Sequence, residues 1–385
     1  VAGAEGALAN PRWDIFCTVV DNYGDIGVCW RLARQLAETH GIAIRLWLDD
    51  LASLQALCPQ IDPGQLQQTW QGVEVRRWSA DFPEVAPAEV VIEAFACELP
   101  PTYLAAMAAC PAKPLWINLE YLTAEPWAAE WHGMASPHPQ LPLTKYFYFP
   151  GFTANTGGLL CAADFTEAAA ALAIRLGLPA PRPEELRVSL FGYENPGLGN
   201  LLQAFAQSAT PVTCLLPTGK LLPQAAAWLQ VPELCAGQVF SRGSLELRVL
   251  PFLSQPDYDA LLWLCDFNFV RGEDSFVRAQ WAAKPLAWNI YPQPEDAHWK
   301  KLEAFLSIYT EHLLPEAAAD LTAFWQAWNG KQGKCLAVDD WARLWRHRDA
   351  LQLHARRWAK QLAQQKDQAT GLVDFCLAKR NENGL

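Results

Sequence analysis

The apolar run from Trp13 to Val20 passes through Asp21, Asn22, Tyr23, Gly24 and Asp25 into a segment whose apolar residues Ile26, Val28, Leu32, Ala33 and Leu36 fit a helix. Strand, tight turn and helix in that order form the opening of a parallel crossover unit, and the alternation continues down the chain. IAIRLWL, VEVRRW, AEVVIEAF and PLWINLEYL are the next strand candidates, separated by segments long enough for crossover helices. The proline-rich stretch from Leu178 to Pro183 interrupts the series; LRVSLFGY then starts a second one, with VTCLLPT, LELRVLPF and PLAWNIYP as later strands. After about residue 295 the pattern is largely helical. The expected architecture is α/β, with two Rossmann-like domains facing a cleft over residues 1–180 and 184–360, and a helical tail over 361–385 packing back toward the first domain.

A length of 385 residues at 51% hydrophobic content supports two substantial cores. No apolar run reaches transmembrane length, and VAGAEGALANPR lacks the basic segment and apolar core of a secretion signal, so a soluble cytoplasmic protein is expected. A formal charge of −11 argues against a broad nucleic-acid-binding face and favours a basic protein partner. The eleven cysteines are scattered, which fits buried thiols better than a zinc ribbon or a disulfide scaffold. The arginines around Trp341, Trp345 and Trp358 have the spacing of a solvated helix face over packed aromatics.

Two segments carry chemistry. In the first, Gly24 and Gly27 permit a tight turn beyond a strand's carboxyl end, where open α/β sheets bind ligands. Asp21 and Asp25 there suit catalysis or substrate binding, and equally suit turn formation and helix capping. The G-x-G-x-x-G dinucleotide fingerprint is missing. The second is LCDFNFVRGEDSFVRAQWAAKP, where an apolar run enters a helix through Arg271, Gly272, Glu273, Asp274 and Ser275. Helix-start amides, Ser275 and Arg271 are suited to phosphate oxygens, whereas Glu273 and Asp274 disfavour indiscriminate anion binding. An ordinary capped helix with a salt-bridged entrance explains the same residues. Phe252 with Gln255, Phe191 with Tyr193, and Tyr291 offer aromatic and polar groups for a pyrimidine ring, or are ordinary core and loop aromatics. Neither pair of acids establishes a metal site.

Through DNYGDIGVCWRLARQL and FVRGEDSFVRAQWAAKP, with LFGYENP and NIYPQ, the chain resembles the bacterial elongation factor P arginine rhamnosyltransferases over nearly its whole length. The resemblance implies a GT-B glycosyltransferase that transfers rhamnose from dTDP-β-L-rhamnose to one arginine of elongation factor P with inversion. It implies an acceptor-binding N-terminal domain, a donor-binding C-terminal domain, no metal or other cofactor, and a monomeric enzyme. On this basis Asp21 is the base that activates the guanidine and Asp25 positions it, with Asn22 and Tyr23 among the substrate contacts. Glu273 sets donor geometry. Arg271, Gly272, Asp274 and Ser275 hold the diphosphate, supported by Tyr193 and Tyr291, while Phe191, Phe252 and Gln255 lie toward the nucleotide. The alternatives are a different nucleotide-sugar transferase, or a nonenzymatic module that binds the elongation factor.

Overall fold

A computed structural model describes residues 11–20 and 23–382. The chain divides into two compact units, an N-terminal one reaching Leu160 and resuming at Gln365, and a C-terminal one from Cys161 to Gln364.

The N-terminal unit contains β1 (Arg12–Cys17), α1 (Gly24–His40), β2 (Ala43–Leu48), α2 (Leu51–Leu57), β3 (Gln67–Trp70), β4 (Val73–Arg77), β5 (Val90–Ala94), α3 (Pro101–Ala109), β6 (Leu115–Leu119), α4 (Trp127–Trp131), β7 (Ala135–Pro137) and β8 (Thr144–Tyr148). Its sheet runs β3-β4-β2-β1-β5-β6-β8-β7, parallel except for the edge strands β3 and β7. β2, β5 and β6 are buried along almost their whole length, which is why they read as apolar runs without alternation. One polar cluster crosses this core. Arg45 makes two 2.5 Å bonds to the Asp14 carboxylate, and the Tyr103 hydroxyl donates to the same carboxylate. On the opposite face, Ile26, Cys29, Leu32, Ala33 and Leu36 of α1 join the main apolar cluster. The helix ends at Gly41, whose φ of +64° lets its N–H close onto the Ala37 carbonyl.

The C-terminal unit contains α5 (Thr166–Arg175), β9 (Leu186–Leu190), α6 (Leu198–Ala206), β10 (Val212–Pro217), α7 (Leu222–Leu229), β11 (Val239–Arg242), β12 (Leu245–Leu250), α8 (Gln255–Leu264), β13 (Phe267–Arg271), α9 (Asp274–Trp281), β14 (Leu286–Asn289), α10 (Ala297–Tyr309), α11 (Pro315–Trp328), α12 (Val338–Trp345) and α13 (Arg348–Leu362). The sheet order is β11-β12-β10-β9-β13-β14, with only β11 antiparallel. Phe276 of α9 stacks on Trp288 of β14 at 3.9 Å and an interplanar angle of 4°, which seats α9 on the sheet. Trp341 and Trp358 are buried, while Arg346 stays exposed and bonds to Glu316 and Asp320.

The boundary expected near 180–184 falls earlier, after Leu160. Leu172 of α5 packs with Leu261 and Cys265 of the α8 segment, so α5 belongs to the C-terminal core although it precedes the prolines. The last helix, α14 (Gln368–Glu382), belongs to the N-terminal unit. Ala369, Leu372 and Cys376 enter the α1 core cluster, and Arg380 bonds to Glu89 at 2.6 Å. Among the described residues, no helix is long and apolar enough to cross a membrane.

Candidate active site

In each sheet the first strand lies between neighbours reached by chain running in opposite directions, β2 and β5 around β1, and β10 and β13 around β9. Loops at the carboxyl ends of such a switch point diverge and leave room for a ligand. Both chemistry-bearing segments fall there.

In the C-terminal unit, Arg271 ends β13 and Phe191 follows β9. The Arg271 guanidinium carbon lies 4.4 Å from the Phe191 ring centroid and 4.9 Å from that of Tyr193. Its Nη1 donates to the Gly192 carbonyl at 3.4 Å. Aromatic faces on a mostly buried guanidinium fix its plane, so its remaining N–H groups point in set directions. The Tyr193 backbone is held in turn by its N–H, which donates to Asn289 Oδ1 at 2.9 Å, and its ring meets Tyr291 edge-on at 5.5 Å.

The turn from β13 into α9 is built by its own residues. Gly272 has φ +59°, which suits glycine, and its carbonyl accepts the Trp288 indole N–H at 2.7 Å. The Ser275 hydroxyl accepts the Arg271 N–H at 3.1 Å and donates to the Arg271 carbonyl. That hydroxyl therefore shapes the turn, and what Ser275 offers an anion is its backbone N–H. Glu273 is the N-cap residue of α9, makes no side-chain cap bond and lies 3.8 Å from Lys301. The first-turn amides of α9 are thus not closed off by the cap side chain. Gln255, buried at the start of α8, donates to Asp274 at 3.4 Å, which joins the β12–α8 loop to the head of α9. Phe252 in that loop and Tyr291 after β14 are each 40% exposed, so Phe252 is not the core aromatic that its local sequence also allowed, while Tyr291 lies in a loop.

In the N-terminal unit the segment after β1 leads to α1, whose first turn holds Asp25. Asp21 and Asn22 lie outside the described residues. Asp25 is buried, and its Oδ2 accepts the Val20 N–H at 2.8 Å across that loop. Tyr23 packs against the α1 core cluster and accepts the Gly27 N–H at 3.0 Å. Beneath the loop, Cys17 and Cys29 are both buried free thiols; the hydrogen bond between them and burial push the Cys17 thiol well above its ordinary pKa, which argues against a thiolate nucleophile. No group of three or more His, Cys, Asp or Glu side chains suited to a metal occurs among the described residues.

Asn289, Trp288 and Lys301 join this site without having been singled out. The first two lie just before the Tyr-Pro-Gln of NIYPQ, and their roles depend on contacts with residues far away in the chain; Lys301 carried no local signal.

Residues 13–377 match the family described as "Elongation-Factor P (EF-P) rhamnosyltransferase EarP". The chain is 51% identical over 378 residues to a protein-arginine rhamnosyltransferase of Pseudomonas putida, covering 94% of this chain and 98% of that protein. It is 47% identical over 373 residues to a protein of the same name from Pseudomonas aeruginosa, with 94% and 98% covered. A solved structure described as "Structural basis for EarP-mediated arginine glycosylation of translation elongation factor EF-P" matches with a TM-score of 0.67 and 37% identity, covering 98% of this chain and 100% of that one. With two Rossmann-like units, the fold is of the GT-B class. The chain belongs to the EF-P rhamnosyltransferase family, EarP, and is a nucleotide-sugar-dependent protein-arginine rhamnosyltransferase.

Proposed function

We propose that the donor is dTDP-β-L-rhamnose, held by the C-terminal unit, and that the N-terminal unit receives the arginine of EF-P. The observation that carries this reading is the Arg271 guanidinium fixed against Phe191 and Tyr193 beside the first turn of α9. A planar cation next to a helix start whose N-cap side chain makes no cap bond suits a diphosphate leaving group, whose charge grows as the sugar bond breaks. The exposed ring of Phe252 and the polar start of α8 suit a thymine face and edge.

In the reaction, a guanidine nitrogen attacks the anomeric carbon from the side opposite the diphosphate. The carbon–nitrogen bond forms, the carbon–oxygen bond to dTDP breaks, and the configuration inverts. A guanidinium is a poor nucleophile because it is protonated and delocalised. Asp21 accepts the proton, and Asp25 positions the acceptor while bracing the loop that carries Asp21. Glu273 sets the donor geometry at the head of α9. The enzyme acts as a monomer in the cytoplasm, where its translation-factor substrate works.

The test is intact-mass analysis of EF-P after incubation with the enzyme and dTDP-β-L-rhamnose, followed by peptide mapping. One added deoxyhexose on an arginine is expected. An unmodified EF-P, with folded enzyme and competent donor, would overturn the assignment of donor and acceptor.

A further inference from the structure

We propose that Asn329, at the carboxyl end of α11 in the C-terminal unit, is a positioning residue for the nucleotide-sugar donor, acting through Asn289 on Tyr193 and on the turn into α9. The proposal rests on the donor reading above and extends it to a residue 40 positions beyond Asn289 in the chain.

Two amides are oriented here in series. Asn329 Nδ2 donates to the Trp288 carbonyl at 2.7 Å and to the Trp325 carbonyl at 2.8 Å, while its Oδ1 accepts the Ile290 N–H at 3.0 Å. A carbonyl only accepts and a backbone N–H only donates, so these partners fix which way the amide faces. Asn329 Oδ1 is therefore the acceptor that Asn289 meets, and Asn289 Nδ2 donates to it at 3.3 Å. That sets the second amide too, with Asn289 Oδ1 turned to the Tyr193 N–H at 2.9 Å. Were Asn289 reversed, its NH2 would face the Tyr193 N–H and its oxygen would face the Asn329 oxygen, two mismatched pairs.

Asn329 thus ties down three consecutive residues at the exit of β14: the Trp288 carbonyl, the Asn289 side chain and the Ile290 N–H. Each of them leads toward the donor side. The Trp288 indole donates to the Gly272 carbonyl at 2.7 Å, and the Asn289 carbonyl accepts the Gly272 N–H at 3.3 Å, so the glycine of the β13–α9 turn is held at both of its backbone groups. Ile290 is followed by Tyr291, whose ring meets that of Tyr193 at 5.5 Å, and the Tyr193 ring lies 4.9 Å from the Arg271 guanidinium carbon. Asn289 is buried, so a lost partner is not simply replaced by water.

Ending α11 does not call for this side chain. The Asn329 N–H closes onto the Trp325 carbonyl at 3.0 Å, and the chain reverses at Gly330 with φ +74°. Any residue but proline at 329 keeps that backbone bond. An alanine there leaves the helix end in place and removes the link to β14.

The test uses the full-length enzyme with Asn329→Ala, Asn289→Ala and the double variant, reading the calorimetric Kd for dTDP, the KM for donor and for EF-P, and denaturant unfolding. Each folded single variant should bind dTDP about 3–10-fold more weakly, the loss of one hydrogen bond, with the KM for EF-P within about twofold of wild type. Because Asn329 acts through Asn289, the double variant should bind dTDP no more than about twofold worse than the weaker-binding single variant. Asn329→Asp supplies a second readout and carries the test if Asn329→Ala does not fold. It keeps both acceptors but sets a carboxylate against the Trp288 and Trp325 carbonyls, so its dTDP Kd, taken as a ratio to wild type at each pH, should fall toward one as the carboxyl regains a proton to donate. A dTDP Kd within about twofold of wild type in folded Asn329→Ala, losses that multiply in the double variant, or a ratio for Asn329→Asp that is flat with pH overturns the relay. Weakened dTDP binding in Arg271→Ala with none in the Asn329 variants strikes the relay alone, whereas unchanged binding in Arg271→Ala strikes the donor reading beneath it.

Discussion

The Arg271 guanidinium carbon sits 4.4 Å from the centroid of the Phe191 ring, a relationship formed across two neighbouring strands, β13 and β9. The ring supplies a wall that keeps a long charged side chain in one plane at the mouth of α9. Arg271→Ala should remove both the charge and its preset orientation. Charge-assisted hydrogen bonds are worth about 1.5–3 kcal/mol, so dTDP should bind about 10–100-fold more weakly. Arg271→Lys restores the charge without the planar fork and should recover only part of the loss. Calorimetric titration with dTDP checks this, and an unchanged Kd in the alanine variant would remove Arg271 from the donor site.

Asp21→Asn should leave folding and dTDP affinity intact and cut single-turnover transfer by about 10²–10⁴, the usual range for a positioned base. Full transfer by the folded variant would assign proton removal to another group.

Asp25 allows a sharper discrimination, because an asparagine in its place still offers an oxygen to the Val20 N–H. Were bracing the loop its whole contribution, Asp25→Asn would behave as wild type. The expected result is instead a KM for EF-P raised about 3–10-fold with dTDP affinity unchanged, matching the loss of one hydrogen bond to the acceptor. Steady-state kinetics with EF-P as the varied substrate separates the two outcomes.

The parallel core was legible in the chain because strands buried on both faces cannot hide: Ala43–Leu48, Val90–Ala94 and Leu115–Leu119 are apolar nearly throughout. The edge strands β3, with sequence QQTW, and β11, with VFSR, escaped because they are mostly exposed and bury no continuous face. The two loops also announced themselves, since a turn between a strand and a helix at a switch point is encoded locally. What local sequence could not show is that the Ser275 hydroxyl closes its own turn, or that Phe252 is partly exposed. Each of these depends on which partners the fold brings near. The prolines at 179–183 mark a loop, whereas α5 is assigned to the C-terminal unit by its packing on α8, which no local signal carries.

The Asp14–Arg45 pair should matter more to stability than to chemistry. Both side chains are at most 3% exposed, and Tyr103 adds a third bond to the same carboxylate. Arg45→Met would strand a buried carboxylate and should destabilise the N-terminal unit by about 3–5 kcal/mol. Denaturant unfolding followed by hydrogen exchange in β1 and β2 would show it, and a shift under about 1 kcal/mol would mean the pair is dispensable.

His354 on α13 gives the C-terminal unit a pH response of definite sign. Burial lowers its pKa below the ordinary 6.5, opposed by a bond to the Tyr309 backbone and reinforced by the positive charge of Arg357 and by His312. Its Nε2 is buried without a partner among the described residues, so the folded state disfavours the imidazolium. The unfolded chain therefore binds the extra proton first. Stability is fully present above the unfolded pKa of about 6.5 and is lost as pH falls toward the lower folded value. His354→Asn keeps an N–H for the Tyr309 carbonyl and removes the titration. It should be less stable at pH 7.5, through lost packing against the Tyr309 ring 4.7 Å away, yet show a flatter decline between pH 6.5 and 5. His132 in the N-terminal unit is lowered by burial in the same way, so the readout must be local: hydrogen exchange of α10 and α13 across that range. Equal slopes in wild type and variant would show that His354 is not the group that titrates.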